Sequence, residues 1–147
     1  MAGHASDRTV SSHAGLGIID TGASKTVIGQ KRVSALLGSL PSALSSKVER
    51  RRSDTVFSFG NNGTLRTLGA LFVPFGRRWM RVEIVEGSTL FLISNAFLRA
   101  VEAELNVAKA IMHVPGWQKS FVMTPNNKGL YMVDLPEVLK DWEHAKW

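Results

Sequence analysis

A chain of 147 residues with 44% hydrophobic and 20% charged side chains is the size of one domain and can bury a core without staples. It has no cysteine, which excludes disulfides, zinc knuckles and thiol catalysis, and no apolar run approaches the roughly 18 residues of a membrane span. The net charge of +6 comes from short groups, Lys31-Arg32, Arg50-Arg51-Arg52 and Arg77-Arg78 with Arg81, which read as a solvated surface rather than a nucleic-acid footprint.

In chain order, residues 1–9 are small and polar and read as a flexible lead; they lack the basic-then-apolar pattern of a secretory signal, so the expectation is a cytoplasmic protein. A strand begins near Val10, breaks between Ser11 and Gly15, and resumes over Leu16 to Asp20. Val27-Ile28 reads as a short strand or turn. Helical spacing covers Gln30 to Leu37, with Gly38 as its stop, and then Ser42 to Arg50, with Pro41 in its first turn and the arginines at a solvated end.

From Thr55 the period changes. Val56, Phe57 and Phe59 lead into Gly60-Asn61-Asn62-Gly63, followed by Leu65, Leu68, Leu71 and Val73, and Asn-Gly between apolar segments signals a hairpin. Arg78 to Val85 and Thr89 to Ile93 read as strands, and Ala96 to Leu105 as a helix with Phe97, Leu98, Val101 and Leu105 on one face. Next come Asn106–Val114, a Pro115-Gly116 turn, Ser120–Met123, an Asn126–Gly129 turn and Leu130–Leu135. A charged tail from Pro136 reads as helical. The organisation is a lead of 1–9, one domain of 10–135 and a tail of 136–147.

The chemistry-bearing segment is Asp20-Thr21-Gly22-Ala23-Ser24, which places one carboxylate on a turn at the end of the apolar strand Leu16–Ile19. A carboxylate there can accept backbone N–H bonds, Gly22 lets a ligand come close to the backbone, and Thr21 can hold the loop through its hydroxyl. Aspartic proteases use this arrangement, and their chemistry needs two carboxylates sharing a proton. The chain has one such motif, so the second carboxylate must come from another copy.

In sequence, four parts resemble the retropepsin-like aspartic proteases of retroviruses and retrotransposons: Asp20-Thr21-Gly22-Ala23 after its strand, the glycine-rich hairpin from Phe57 through Phe59 to Leu65, the strand Leu90-Phe91-Leu92-Ile93, and the helix beginning Asn95-Ala96-Phe97-Leu98-Arg99. The resemblance covers about Leu16 to Asp134. It implies an all-β, closed, barrel-like fold with a few short helices, active as a homodimer, with no cofactor and no metal. The implied function is endoproteolytic processing of a retroelement polyprotein by a water that an Asp dyad activates.

On the same resemblance, Asp20, Thr21 and Gly22 form the catalytic loop, with Thr21 joining two copies across the two-fold axis. Substrate lies extended against Ala23, Ser24, Val27, Ile28, Leu92 and Ile93, beneath a flap of Phe59, Gly60, Asn61, Asn62 and Gly63. Two positions depart from the family pattern. Ser94 stands where glycine is usual, which is costly if that site needs a positive φ. Asn95 and Ser24 replace an arginine and an acid that commonly pair; losing one alone would strand a buried charge at roughly 3–5 kcal/mol, so their joint loss implies a neutral hydrogen bond instead.

The competing reading is a retropepsin-like dimerisation or binding module without activity. A nucleic-acid-associated β domain has only the +6 charge in its favour, so nucleic acid is not expected as a direct ligand. His4, His13, His113 and His144 lack ligand spacing, and Asn62-Gly63-Thr64 as a glycosylation acceptor has no secretory signal beside it. Trp79, Trp117, Trp142 and Trp147 read as core or interface. The hairpin and tail after Leu105 are expected to contribute to the dimer interface.

Overall fold

The computed structural model describes residues 15–58, 63–76 and 78–139, and the apolar run Leu16–Asp20 forms its first strand, β1. β2 is Val27–Gly29, and a 3-10 turn over Gln30–Arg32 leads into α1, Val33–Ser39. A single helical turn, α2 (Ser42–Ser45), precedes β3 (Glu49–Arg51). The hairpin strands β4 (Val56–Ser58) and β5 (Thr64–Arg66) pair antiparallel, as do the longer β6 (Gly69–Phe75) and β7 (Arg78–Val85). β8 (Leu92–Ser94) runs straight into α3 (Asn95–Ala100). After them come β9 (Glu104–Asn106), β10 (Ile111–Val114), β11 (Lys119–Val122), β12 (Thr124–Pro125), β13 (Tyr131–Asp134) and the one-turn α4 (Leu135–Val138).

The protein is mostly β with a few short helices. Its main sheet has eight strands in the order β12-β13-β1-β8-β2-β7-β6-β3, and β9–β11 form a separate three-stranded sheet. β1 is central, antiparallel to β13 and parallel to β8, which explains why both Ile18 and Ile19 are buried. The expected closed barrel does not form among the described residues; the main sheet is open, with β12 and β3 as its edges. Both edges resist further pairing. Pro125 has no N–H to donate, and β3 is an exposed Glu-Arg-Arg.

One core joins the two sheets. Phe75 packs edge-on against Phe97 with ring centroids 5.0 Å apart and lies 6.2 Å from Trp117, so the β6–β7 end, α3 and the second sheet meet there. Gly76 makes the contact possible. It turns at φ +62°, and a Cβ there would stand 2.3 Å from the Trp117 indole. Met112, Val114 and Phe121 of the second sheet are buried in this core, while Val122 is 76% exposed. The second sheet thus turns one face into the core of its own chain. No helix among the described residues is long and apolar enough to cross a membrane.

Several sequence expectations need correction. Helix does not continue from Ser42 to Arg50; it stops after one turn, and Glu49–Arg51 pairs with β6, so Arg50 and Arg51 lie on an edge strand. Gly38 does not stop α1, which runs to Ser39 and is closed by Leu40 N–H bonding to Leu37 O. Helix from Ala96 ends at Ala100 because Glu102 takes φ +56°, and Leu105 lies on β9 instead. Regular strand pairing begins at Leu92 rather than Thr89, although Thr89 and Phe91 carbonyls accept bonds from Gly29 and Ile18. Val10 and the strand expected there, the lead of 1–9, Trp142 and Trp147 lie outside the described residues, as does the tail beyond Leu139.

Candidate active site

Asp20 is the last residue of β1, half-buried, opposite Ser94 in the parallel ladder with β8. The loop that follows folds back on it. Gly22 N–H donates to Asp20 Oδ1 at 3.1 Å and Ala23 N–H to Asp20 O at 3.1 Å. Asn95 N–H donates to Ala23 O at 3.0 Å, tying the start of α3 to the loop. One carboxylate oxygen is thereby oriented by backbone, and no cation pairs with Asp20 among the described residues. Thr21 and Gly22 are exposed. The Thr21 hydroxyl bonds nothing among the described residues, so the expectation that it holds its own loop is corrected: backbone N–H groups do that work.

The departures at Ser24, Ser94 and Asn95 resolve differently from expectation. Ser94 has φ −75° and ψ 156°, ordinary extended backbone that any residue adopts. Its hydroxyl caps α3 by accepting from Phe97 N–H at 3.1 Å. No side-chain bond joins Ser24 to Asn95. The neutral hydrogen bond forms instead between Thr26 and Ser94: Thr26 Oγ1 donates to Ser94 Oγ at 3.0 Å, and Ser94 N–H donates back to Thr26 Oγ1 at 3.0 Å. Both residues are buried, and this pair fastens the far end of the Asp20 loop to β8.

Beyond Thr26 the chain continues into β2, and Glu83 N–H of β7 donates to Thr26 O at 2.8 Å. Glu83 is 3% exposed. Its Oε1 accepts from Thr55 Oγ1 at 3.1 Å and from Arg81 Nε at 2.9 Å, while Oε2 is buried with no partner. A cavity of about 510 Å³ lies here, walled by Ser24, Lys25, Thr55, Arg81, Glu83 and Phe97. Thr55 stands at the root of the β4–β5 hairpin, where its carbonyl accepts from Thr67 N–H.

No protein-family model matches this chain, and no curated protein matches it.

The geometry of the site separates the predicted site residues. Asp20, Thr21, Gly22, Ala23 and Ser24 form one loop. Val27 and Leu92 are half-buried and directly opposite one another. Ile28 and Ile93, at 2% and 0% exposure, belong to the core of the single chain, because alternation along β2 and β8 turns them inward. Leu92 lines a different groove, of about 630 Å³, with Leu90, Leu130 and Met132. Gly63 follows the hairpin tip, and Phe59, Gly60, Asn61 and Asn62 lie outside the described residues. Thr26, Thr55, Arg81 and Glu83 were not singled out from the sequence. The available signal was a carboxylate between Val82 and Ile84 in an otherwise apolar run, two residues after an arginine on the same strand face. His113 Nδ1 bonds Ser120 Oγ at 2.7 Å, and no metal-ligating cluster gathers among the described residues.

Proposed function

We propose that this chain is an aspartic endopeptidase that works as a homodimer, each copy contributing one Asp20 to a two-carboxylate centre. The observation that carries this reading is Asp20 itself: a half-buried carboxylate at the end of a central strand, oriented by Gly22 N–H and lacking a cation among the described residues. It is held by one oxygen and open at the other.

In the dimer the two carboxylates share one proton, because two like charges so close cannot both ionise cheaply. The ionised member takes a proton from a bound water as the water oxygen attacks the scissile carbonyl carbon. The protonated member donates to the carbonyl oxygen, giving a neutral tetrahedral diol. The C–N bond then breaks as the amine takes the proton first removed from the water, while a diol hydroxyl returns its proton to the second carboxylate, releasing amine and acid and restoring the singly protonated pair. No covalent enzyme intermediate is needed. Thr21 hydroxyl, exposed and without a partner among the described residues, bonds its loop to the mate's. Substrate lies extended against the Gly22–Ser24 backbone, and the β4–β5 hairpin closes over it and excludes water.

The resemblance in the order of motifs supplies the biological role, processing of a retroelement polyprotein. The test is cleavage of a mixed peptide library from mildly acidic to neutral pH by this chain and by Asp20→Asn. Cleavage favoured in mild acid, rising more steeply than linearly with chain concentration and absent in the variant, is the expected result. A dimer that cleaves nothing would favour a binding module instead.

A further inference from the structure

Two cations beside the β12–β13 turn have no acid to pair with. Arg51 and Arg81 are each bonded to a glutamate, Glu49 and Glu83. No carboxylate pairs with Arg32 or Lys128 among the described residues. Arg32 Nε donates to Ser88 O, and its two terminal nitrogens have no partner among those residues. Lys128 is exposed, on a turn that is held rigid: Asn126 Oδ1 accepts from Lys128 N–H and from Leu130 N–H, both at 2.9 Å.

Both cations border the groove of about 630 Å³ that Leu92 lines. The strand ladder sets its position. Ile18 stands opposite Leu92 of β8 and Met132 of β13, so the three share one sheet face. Asp20 is two residues further along β1, which puts it on that same face about 7 Å away along the strand. Ile18 and Met132 are buried, but Leu90 and Leu92 are half-buried and Leu130 is 45% exposed, so a ligand can reach apolar surface there. No acidic residue among those described lines the groove.

Accessible leucines next to the proposed reaction centre, bordered by two uncompensated cations, define the chemistry that fits. A large apolar side chain takes the leucine surface out of water. A carboxylate beside it accepts charge-assisted bonds from the guanidinium and the ammonium, and a cationic group is repelled. Side chains two residues apart on an extended peptide point the same way, about 7 Å from one another, so one peptide can supply both.

We propose that this groove is a substrate subsite that takes a large apolar side chain and selects an acidic one, Glu or Asp, two residues away. Arg32 and Lys128 are its specificity-determining residues. The proposal rests on the endopeptidase reading for its supply of peptide.

The test uses a cleaved peptide series at about pH 6, where a glutamate side chain is ionised. Leu or Ala occupies the position on one side of the cut or the other, with Glu, Gln or Lys two residues further out. On at least one side Leu should exceed Ala by about tenfold in kcat/KM, and Glu should exceed Gln by about fivefold and Lys by more. Lys128→Glu should turn the preference from Glu to Lys, Arg32→Gln should reduce it, and Leu130→Ser should reduce the advantage of Leu. Lys128, exposed on its turn, keeps the test decisive if Arg32→Gln does not fold. No preference for Glu on either side, or one that persists unchanged in Lys128→Glu, overturns the proposal. Calorimetric binding of the same peptides to Asp20→Asn separates the two readings. Glu-selective binding without any cleavage by the parent chain keeps the subsite and sinks the endopeptidase. Cleavage without charge selectivity sinks only the subsite, and neither binding nor cleavage sinks both.

Discussion

Two neighbouring sites at the far end of the Asp20 loop handle buried polar groups in opposite ways. At Thr26 and Ser94, two hydroxyls and a backbone N–H satisfy one another, and the Ser94 oxygen also caps α3. A strand away, Glu83 is equally buried and satisfied at only one oxygen. A closed neutral network holds the loop in place; the charged one keeps a buried oxygen without a partner. The same distinction applies to Asp20, oriented through Oδ1 by Gly22 and open beyond it.

Breaking the open side should change chemistry and leave the fold alone. Asp20→Asn is expected to lower cleavage by about 10²-fold or more, the scale of a lost acid–base group, with an unaltered thermal midpoint. Breaking packing should do the reverse. Gly76→Ala puts a methyl into the Trp117 ring at positive φ, and unfolding titrations should show a loss of about 2–3 kcal/mol. On the closed side, Thr26→Val orphans Ser94 N–H and removes a donor from its hydroxyl, an expected loss of about 1–3 kcal/mol in the same titration. Ser94→Gly, the residue usual in the resembled family, forfeits the cap and removes the acceptor of the Thr26 hydroxyl, while the backbone N–H of residue 94 still donates to Thr26 Oγ1; a double-mutant cycle with Thr26→Val should show the two losses to be non-additive. The smallest effect belongs to the β3 edge, where Arg50→Gln, exposed and solvated, should shift stability by less than about 0.5 kcal/mol.

Where local pattern and tertiary pairing agree, the sequence was legible. Leu16–Asp20, Arg78–Val85, the hairpin about residues 56–66 and the Asn126–Gly129 turn form where periodicity and turn chemistry place them. β3 was illegible because Glu49–Arg51 has no apolar face; only pairing with β6 makes it a strand. The end of α3 was missed because Glu102 turns into the left-handed region without glycine or proline to announce it. Val27 with Ile28, and Leu92 with Ile93, were read together, whereas alternation gives the members of each pair opposite faces and buries Ile28 and Ile93. In the site, Asp20 and its turn stood out through residue type and spacing. The Thr26–Ser94 bond and the Glu83 cavity join residues distant in sequence, and no local pattern encodes those meetings.

The most direct test of a centre shared between two copies is a mixing experiment at fixed total chain concentration, well above that needed for pairing. Equal amounts of the parent chain and Asp20→Asn should cleave at about one quarter of the parent rate, because random pairing leaves that share of dimers with two carboxylates. Activity of about one half would mean that each chain works alone, and would contradict a dyad built from two copies of Asp20.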